Sequence, residues 1–237
     1  MVEVVGLRVA RGGQEVLHGI DLSVPRGTIT GLIGPSGCGK TTLIRAIVGS
    51  QAGVTGSVTV TGMPAGSPAL RRAVGYATQT PAVYTDMTVR ENLRYFAAVL
   101  GVGESRTEYA LGAVGLRPEA DRLAGRLSTG QLSRVSLAVA LLGGVGLLIF
   151  DEPTVGLDPV LRRDLWDLFH QLVADGATML ISSHVMDEAV RCDRLVLMRD
   201  GRVIADGPPD ELCRRTGTSS LEEAFLFLVD RGEVIRS

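Results

Sequence analysis

Residues Gly34-Pro35-Ser36-Gly37-Cys38-Gly39-Lys40-Thr41 stand between an apolar run, Ile29 to Ile33, and a helical stretch, Thr42 to Val48. Their types and spacing suit the binding of phosphate. Gly34, Gly37 and Gly39 reach backbone angles closed to other residues, so successive N–H groups turn inward as a concave nest for phosphate oxygens. The helix that follows points its positive N-terminal end at the same place. Lys40 adds a mobile ammonium for the outer phosphates of a nucleotide, and the Thr41 hydroxyl is a hard oxygen donor suited to Mg2+. A merely glycine-rich turn has no need of the full G-x-x-x-x-G-K-T spacing between a strand and a helix. The stretch from Gly34 to Thr42 is therefore the expected nucleotide site.

A second candidate closes another apolar run. Gly146-Leu147-Leu148-Ile149-Phe150 ends in Asp151-Glu152, the pattern of a strand buried on both faces whose carboxyl end is a place for chemistry. Asp151 can hold Mg2+ through its water shell, and Glu152 can polarise a water for attack on a γ-phosphate. Alone, the pair would read as a strand terminus. In a chain that also carries a phosphate loop, it reads as the hydrolytic half of the same chemistry.

The elements that must position these residues follow from periodicity. Val2 to Val9 and Val16 to Val24, separated by Arg11-Gly12-Gly13, read as a hairpin-like pair of strands, and Ser57 to Thr61 and Ala73 to Thr78 as two more. Thr88 and Glu91 have capping-box spacing, with Val89, Leu93, Phe96 and Leu100 as the apolar face of the helix they open. A second helix is expected over Arg106 to Leu116. Asp158-Pro159 reads as an N-cap and first helical residue, with Leu161, Leu165, Leu168 and Leu172 facing inward and Gly176 as the stop. Ala177 to Ser182 is a further buried strand, and Asp200-Gly201 joins a terminal hairpin. Ser220 and Glu223 cap a tail helix bearing Leu221, Ala224, Phe225 and Leu228. The expected organisation is a single domain: an α/β core over 1–84 and 143–218 with a β subdomain, a helical subdomain over 85–142, and a C-terminal helix and tail over 219–237.

Composition limits the partners. Lys plus Arg number 24 against 26 Asp plus Glu, a net charge of −2, so no global field draws the chain to nucleic acid. The three cysteines, Cys38, Cys192 and Cys213, lack metal-ligand spacing and suit a reducing compartment. The N-terminal stretch lacks the basic and apolar regions of a secretory signal, and the apolar stretch Val135 to Phe150 is too short and too glycine-broken to span a bilayer. A cytoplasmic protein is expected, any membrane role being carried by a partner.

Leu127-Ser128-Thr129-Gly130-Gln131, placed shortly before Asp151, is similar to the LSGGQ signature of ABC transporter ATPase subunits, and the resemblance covers essentially the whole chain. It implies a P-loop NTPase core with an N-terminal antiparallel β subdomain and an inserted helical subdomain. It also implies ATP hydrolysis with Mg2+, and a head-to-tail dimer that sandwiches two ATPs. The Ser128 hydroxyl, the N–H groups near Thr129 and Gly130, and the helix start at Gln131 would form a second anion site for ATP held by the partner subunit. Gln79 resembles the glutamine that reaches Mg2+ or the attacking water. Asp158 resembles the loop aspartate that crosses the dimer, and His184 the histidine that hydrogen-bonds the γ-phosphate. The tail Ser220 to Leu226 is similar to that of ABC-2-type exporter ATPases, which partner polytopic membrane proteins moving drugs, lipids or polysaccharides outward. The resemblance thus implies a subunit peripheral to the cytoplasmic face of the membrane.

Two positions depart from the family pattern. Arg11 stands where an aromatic residue commonly stacks on adenine, leaving a guanidinium plane for that contact. Thr129 replaces the first glycine of the signature pair and adds a β-branched side chain, for which altered closure kinetics are expected. Cys38, inside the loop, raises the expectation that thiol modification blocks ATP binding. A soluble ABC-type ATPase acting on ribosomes or nucleic acid is the alternative, set back by neutral charge and the lack of tandem cassettes or a coiled-coil insertion. A P-loop kinase acting on a small molecule is set back by the signature.

Overall fold

The computed structural model describes residues 1–143 and 146–231, in two compact units: Met1–Leu70 with the chain from Leu180 onward, and Arg71–Met179. In chain order the first unit begins with β1 (Val2–Arg11), β2 (Gln14–Val24), β3 (Ile29–Ile33), α1 (Lys40–Ile47), β4 (Val54–Val60) and β5 (Met63–Pro64). Next come α2 (Leu70–Ala73), β6 (Val74–Ala77), α3 (Val89–Leu100), α4 (Glu104–Ala113), α5 (Thr129–Leu141), β7 (Leu147–Asp151) and α6 (Pro159–Ala174). The unit boundary falls within β8 (Thr178–Ser183), and α7 (Met186–Ala189), β9 (Arg194–Arg199), β10 (Arg202–Gly207), α8 (Pro209–Thr216) and α9 (Leu221–Arg231) complete the chain.

In the first unit an antiparallel sheet runs β2-β1-β4-β5. Val2 and Val4 face its core, and the register then shifts at Gly6, whose φ is +58°, so that Leu7 and Val9 rather than Gly6 and Arg8 continue the buried face. One extra residue re-phases a period-two pattern. Beside this sheet, β9 pairs in parallel with β3 and antiparallel with β10. Asp200 and Gly201, with φ of +45° and +68°, make the tight turn of that hairpin. All five residues of β3 are buried, which fixes the point from which the phosphate loop departs.

In the second unit, β6 and β7 pair in parallel and α5 packs on both. Phe150, Trp166 and Phe169 form its aromatic core, the Phe169 ring centroid lying 5.2 Å from that of Phe150 and 5.6 Å from that of Trp166. That core corrects the expected face of α6: Leu165, Trp166, Phe169 and Leu172 are buried, whereas Leu161 and Leu168 lie half-buried at its edge. The large rings win the interior because they remove the most apolar surface from water. On α3 the buried stripe is Val89, Leu93 and Ala97 with Asn92, and Phe96 and Leu100 are only half-buried. Asn92 tolerates burial because its amide donates to the carbonyls of Tyr84 and Thr88 and accepts from the Tyr84 N–H.

Helix caps follow the sequence closely. Thr88 and Glu91 form the reciprocal capping box, and Asp158 caps α6. At α9 the Ser220 hydroxyl accepts from the Glu223 N–H, but the Glu223 carboxylate returns to the N–H and hydroxyl of Ser219 rather than to Ser220. The expected tail, 219–237, lies partly outside the described residues, which end at 231. Among the described residues no helix is long and apolar enough to cross a membrane. Gly144 of the glycine-broken stretch is also outside them.

Candidate functional site

In the first unit the site is built on the step from β3 to α1. Gly37 and Gly39 hold φ of +81° and +108°, so two of the three glycines are required by backbone conformation. Gly34 is required by space: a Cβ there would lie 2.2 Å from the Met198 carbonyl oxygen and 2.9 Å from the Cys38 sulfur. The loop is tied down by the Gly34 N–H donating to the Ser183 carbonyl and the Gly201 N–H donating to the Cys38 carbonyl. Helix α1 starts at Gly39 with no side-chain cap and no acid in its first turn, so its N-terminal N–H groups suit an external anion. Lys40 is 4% exposed, and its ammonium donates to the carbonyls of Gly34 (2.6 Å) and Pro35 (3.0 Å). Pro35, Ser36 and Gly37 are exposed, Thr41 is half-buried and Thr42 buried.

Cys38 carries the thiol inside the loop. Its thiol is buried, and burial pushes its pKa up against the opposing pull of Lys40. A thiol held protonated and shielded is a poor nucleophile, so it does not offer the loop a ready modification point.

His184 follows β8 and is exposed, beside the loop-anchoring Ser183. The Ser183 hydroxyl donates to the buried Glu188 carboxylate (2.8 Å) and accepts from the Val185 N–H (3.0 Å), which clasps the backbone on both sides of His184. Glu188 went unnoticed in the sequence; its spacing from Ser183 resembles an ordinary helix-start acid. Arg11 ends β1, exposed on an open groove of about 650 Å3 that Arg45, Ser50 and Gln51 also line. A guanidinium there can stack on a flat ring or meet an anion.

In the second unit, Asp151 ends β7 at 2% exposure, and Glu152 leaves the strand with φ of +53°. A non-glycine residue in that region costs about 1–3 kcal/mol, strain of the kind that gathers at functional positions. Gln79 lies two residues beyond β6, and its amide donates to the Glu152 carboxylate at 3.0 Å. The structure thus joins Gln79 and Glu152 directly. Asp158 Oδ1 accepts from the N–H groups of Val160 (2.9 Å) and Leu161 (3.0 Å).

The stretch Leu127 to Gln131 opens α5. Ser128 Oγ accepts from the Gln131 N–H (3.3 Å), while Gln131 Oε1 accepts from the Ser128 N–H (3.0 Å). Ser128 and Thr129 are exposed and Gly130 is buried, because a Cβ on Gly130 would meet the Leu157 side chain at 3.0 Å. A Cβ built on Gly156 would lie 4.0 Å from the Thr129 methyl. The signature therefore packs on the loop Gly156–Leu157 just before Asp158, a contact that no spacing in the sequence announces. At the far end of α5, Arg106 donates to the carbonyls of Leu141, Leu142 and Gly143, capping the helix from α4.

Among the described residues no group of three or more His, Cys, Asp or Glu could hold a metal. The donors singled out, the Thr41 hydroxyl, the Asp151 carboxylate and the Gln79 amide oxygen, are all hard oxygens. They fit Mg2+, which takes one or two carboxylates and completes its shell with water and phosphate.

The sequence profile of the ABC transporter family matches residues 17–155. The chain is 39% identical over 81% of its length to the probable multidrug ABC transporter ATP-binding protein YbhF of Escherichia coli, spanning about a third of that protein (34%). It is 35% identical over 89% of its length to the Nod factor export ATP-binding protein I of a Rhizobium species, of which it covers 72%. A solved ATP-binding subunit of an ABC transporter superposes with a TM-score of 0.88 at 32% identity, over 97% of this chain and 99% of that one. The fold is that of the ABC ATPases.

Proposed function

We infer that this chain, which belongs to the ABC transporter family, is an ATP-hydrolysing subunit that powers a separate membrane-spanning partner. The observation that carries the reading is the capped helix start at Ser128-Thr129-Gly130-Gln131, in the same chain as the phosphate loop and the strained Glu152. ATP binds in the loop Gly34 to Thr42, through its inward N–H groups and through Lys40. Thr41 and Asp151, with Gln79, would hold Mg2+, which supplies charge neutralisation on the phosphates. Glu152 accepts a proton from the attacking water, and the Gln79 amide keeps the Glu152 carboxylate in place until then. His184 donates to the γ-phosphate from the turn that Ser183 and Glu188 fix. Arg11 contacts the base.

Ser128 and the N-terminus of α5 serve ATP bound to a second copy or a close relative, and Asp158 crosses to that copy. The domain organisation follows: a core over 1–84 and 143–218, a helical part over 85–142 that reaches the partner subunit's ATP, and the tail. An aromatic patch supports a protein partner: Tyr84, Tyr95 and Val99 are exposed by 45, 44 and 64%, and Tyr84 and Tyr95 pack edge to face at 5.1 Å. The subunit works at the cytoplasmic face of the membrane, and the names of its relatives support an exported cargo.

The test is purification of tagged Glu152→Gln protein from native membranes with ATP present. Retained ATP binding, lost hydrolysis and a co-purifying polytopic membrane protein are expected. Wild-type turnover by Glu152→Gln would remove Glu152 from its role, and recovery of ribosomes or nucleic acid alone would replace the transporter reading with that of a soluble ATPase.

A further inference from the structure

Glu119 lies outside the signature and outside α5, in a short 3-10 turn formed by Arg117–Glu119. Its Oε1 accepts from the Gln131 Nε2 at 3.2 Å. A carboxylate can only accept, so it decides which end of the near-symmetric Gln131 amide faces it. With Nε2 turned to Glu119, Oε1 faces the Ser128 N–H. The Gln131 N–H in turn occupies a lone pair of Ser128 Oγ, and the Ser128 O–H has no acceptor among the described residues. The hydroxyl is thereby set as an outward donor.

The arrangement has a cost that packing does not explain. The second oxygen, Glu119 Oε2, is buried without a hydrogen-bond partner, and an acceptor-only anion is an expensive group to place there. An apolar residue would serve stability better. We propose that Glu119 is a positioning residue for the signature, fixing the Gln131 amide so that Ser128 presents its O–H to the phosphate it serves. The proposal rests on the reading that Ser128 contacts nucleotide.

The experiment measures kcat, KM, melting temperature and binding of a fluorescent ATP analogue on the purified full chain. Glu119→Ala, and Glu119→Leu as a second variant suited to burial, should lower kcat about tenfold, the scale of one misplaced hydrogen bond, with KM and analogue affinity held and the melting temperature held or raised. Glu119→Gln, which keeps an oxygen for Gln131, should restore turnover. Adding Glu119→Ala to Gln131→Ala should cost nothing more than Gln131→Ala alone. Unchanged kcat in both apolar variants, or additive losses in the double variant, would overturn the proposal. Ser128→Ala separates the two failures. If it abolishes turnover while the Glu119 variants do not, only the positioning role falls; if it leaves turnover intact, the signature reading falls and this proposal with it.

Discussion

Asp158 carries two separable roles, and its replacement tells them apart. Its Oδ1 accepts from two N–H groups at the start of α6, at 2.9 and 3.0 Å, and Pro159 occupies the position whose N–H would have needed a partner. Removing such a cap costs about 0.5–2 kcal/mol. For a domain of this size about 1 kcal/mol shifts the melting temperature by roughly 2–4 °C. Asp158→Ala should therefore melt a few degrees below wild type. Asp158→Asn keeps an acceptor oxygen and forfeits only the favourable charge at the helix N-terminus, about 0.3–1 kcal/mol, so it should fall between. Scanning calorimetry reads both. Turnover at 25 °C, far below the transition, reads the other role: if Asp158 also crosses to a second copy, Asp158→Asn loses activity out of proportion to its small loss of stability. An Asp158→Ala protein that melts with wild type would refute the cap as an energetic element. Two variants that differ in melting temperature but share wild-type turnover would confine Asp158 to capping.

The phosphate loop and the cysteines yield further expectations. Gly34→Ala forces a Cβ into the Met198 carbonyl and should abolish binding of a fluorescent ATP analogue, whereas Gly37→Ala meets open space and only the strain of a positive φ, about 1–2 kcal/mol, so some binding should survive. Equal loss in both would mean that crowding at Gly34 does not decide the loop. Mass-mapped alkylation with iodoacetamide at pH 7.5 should label Cys213 first and leave Cys38 and Cys192 largely unmodified, since burial raises both of their pKa values; early labelling of Cys38 would contradict the buried, protonated thiol. Cys192, pushed up to about 12 by burial, stays protonated in the fold while the unfolded thiol ionises near 9. Its contribution to stability is full below about pH 9 and is lost as pH rises towards 12, at up to about 1.4 kcal/mol per pH unit. Cys192→Ala should flatten that alkaline slope in denaturant titrations; an unchanged slope would assign it to other groups.

Period and punctuation made much of the architecture legible. The apolar runs of β3 and β7 and the Asp-Pro start of α6 each reflect a local rule that tertiary packing then obeyed, whereas β4, which alternates in sequence, is exposed from Val54 to Ser57 and buried only at Val60. What period alone misjudged was which large side chains fill the interior. Trp166 and Phe169 displaced Leu161 and Leu168 from the buried face of α6, a choice made by the volume available against Phe150. Helix α8 carried its own signals, Pro209 at its first turn and a left-handed Gly217 at its end, and is readable by the same rules. The strain at Glu152, the Gln79–Glu152 bond and the packing of Gly130 on Leu157 depend on residues distant along the chain. Nothing local encodes them.

Three motifs singled out from the sequence are all helix starts, and the way each start is satisfied ranks them as anion sites. A helix presents N–H groups at its first turn that must find acceptors. At α6 the Asp158 carboxylate takes two of them, which satisfies the turn and places negative charge there, so an anion gains little. At α5 the Gln131 N–H is taken by Ser128 and the Ser128 N–H by Gln131, so the remaining offer is the Ser128 hydroxyl with the first-turn N–H groups of Thr129 and Gly130. At α1 the cap position is Gly39, which has no side chain to offer, and no acid stands in the first turn. The N–H groups of α1 therefore await an acceptor from outside, with Lys40 beside them to neutralise it. Ser, Thr, Asp or Asn at position 39 would supply an internal acceptor and compete with phosphate; the glycine that shapes the loop also keeps the helix end open.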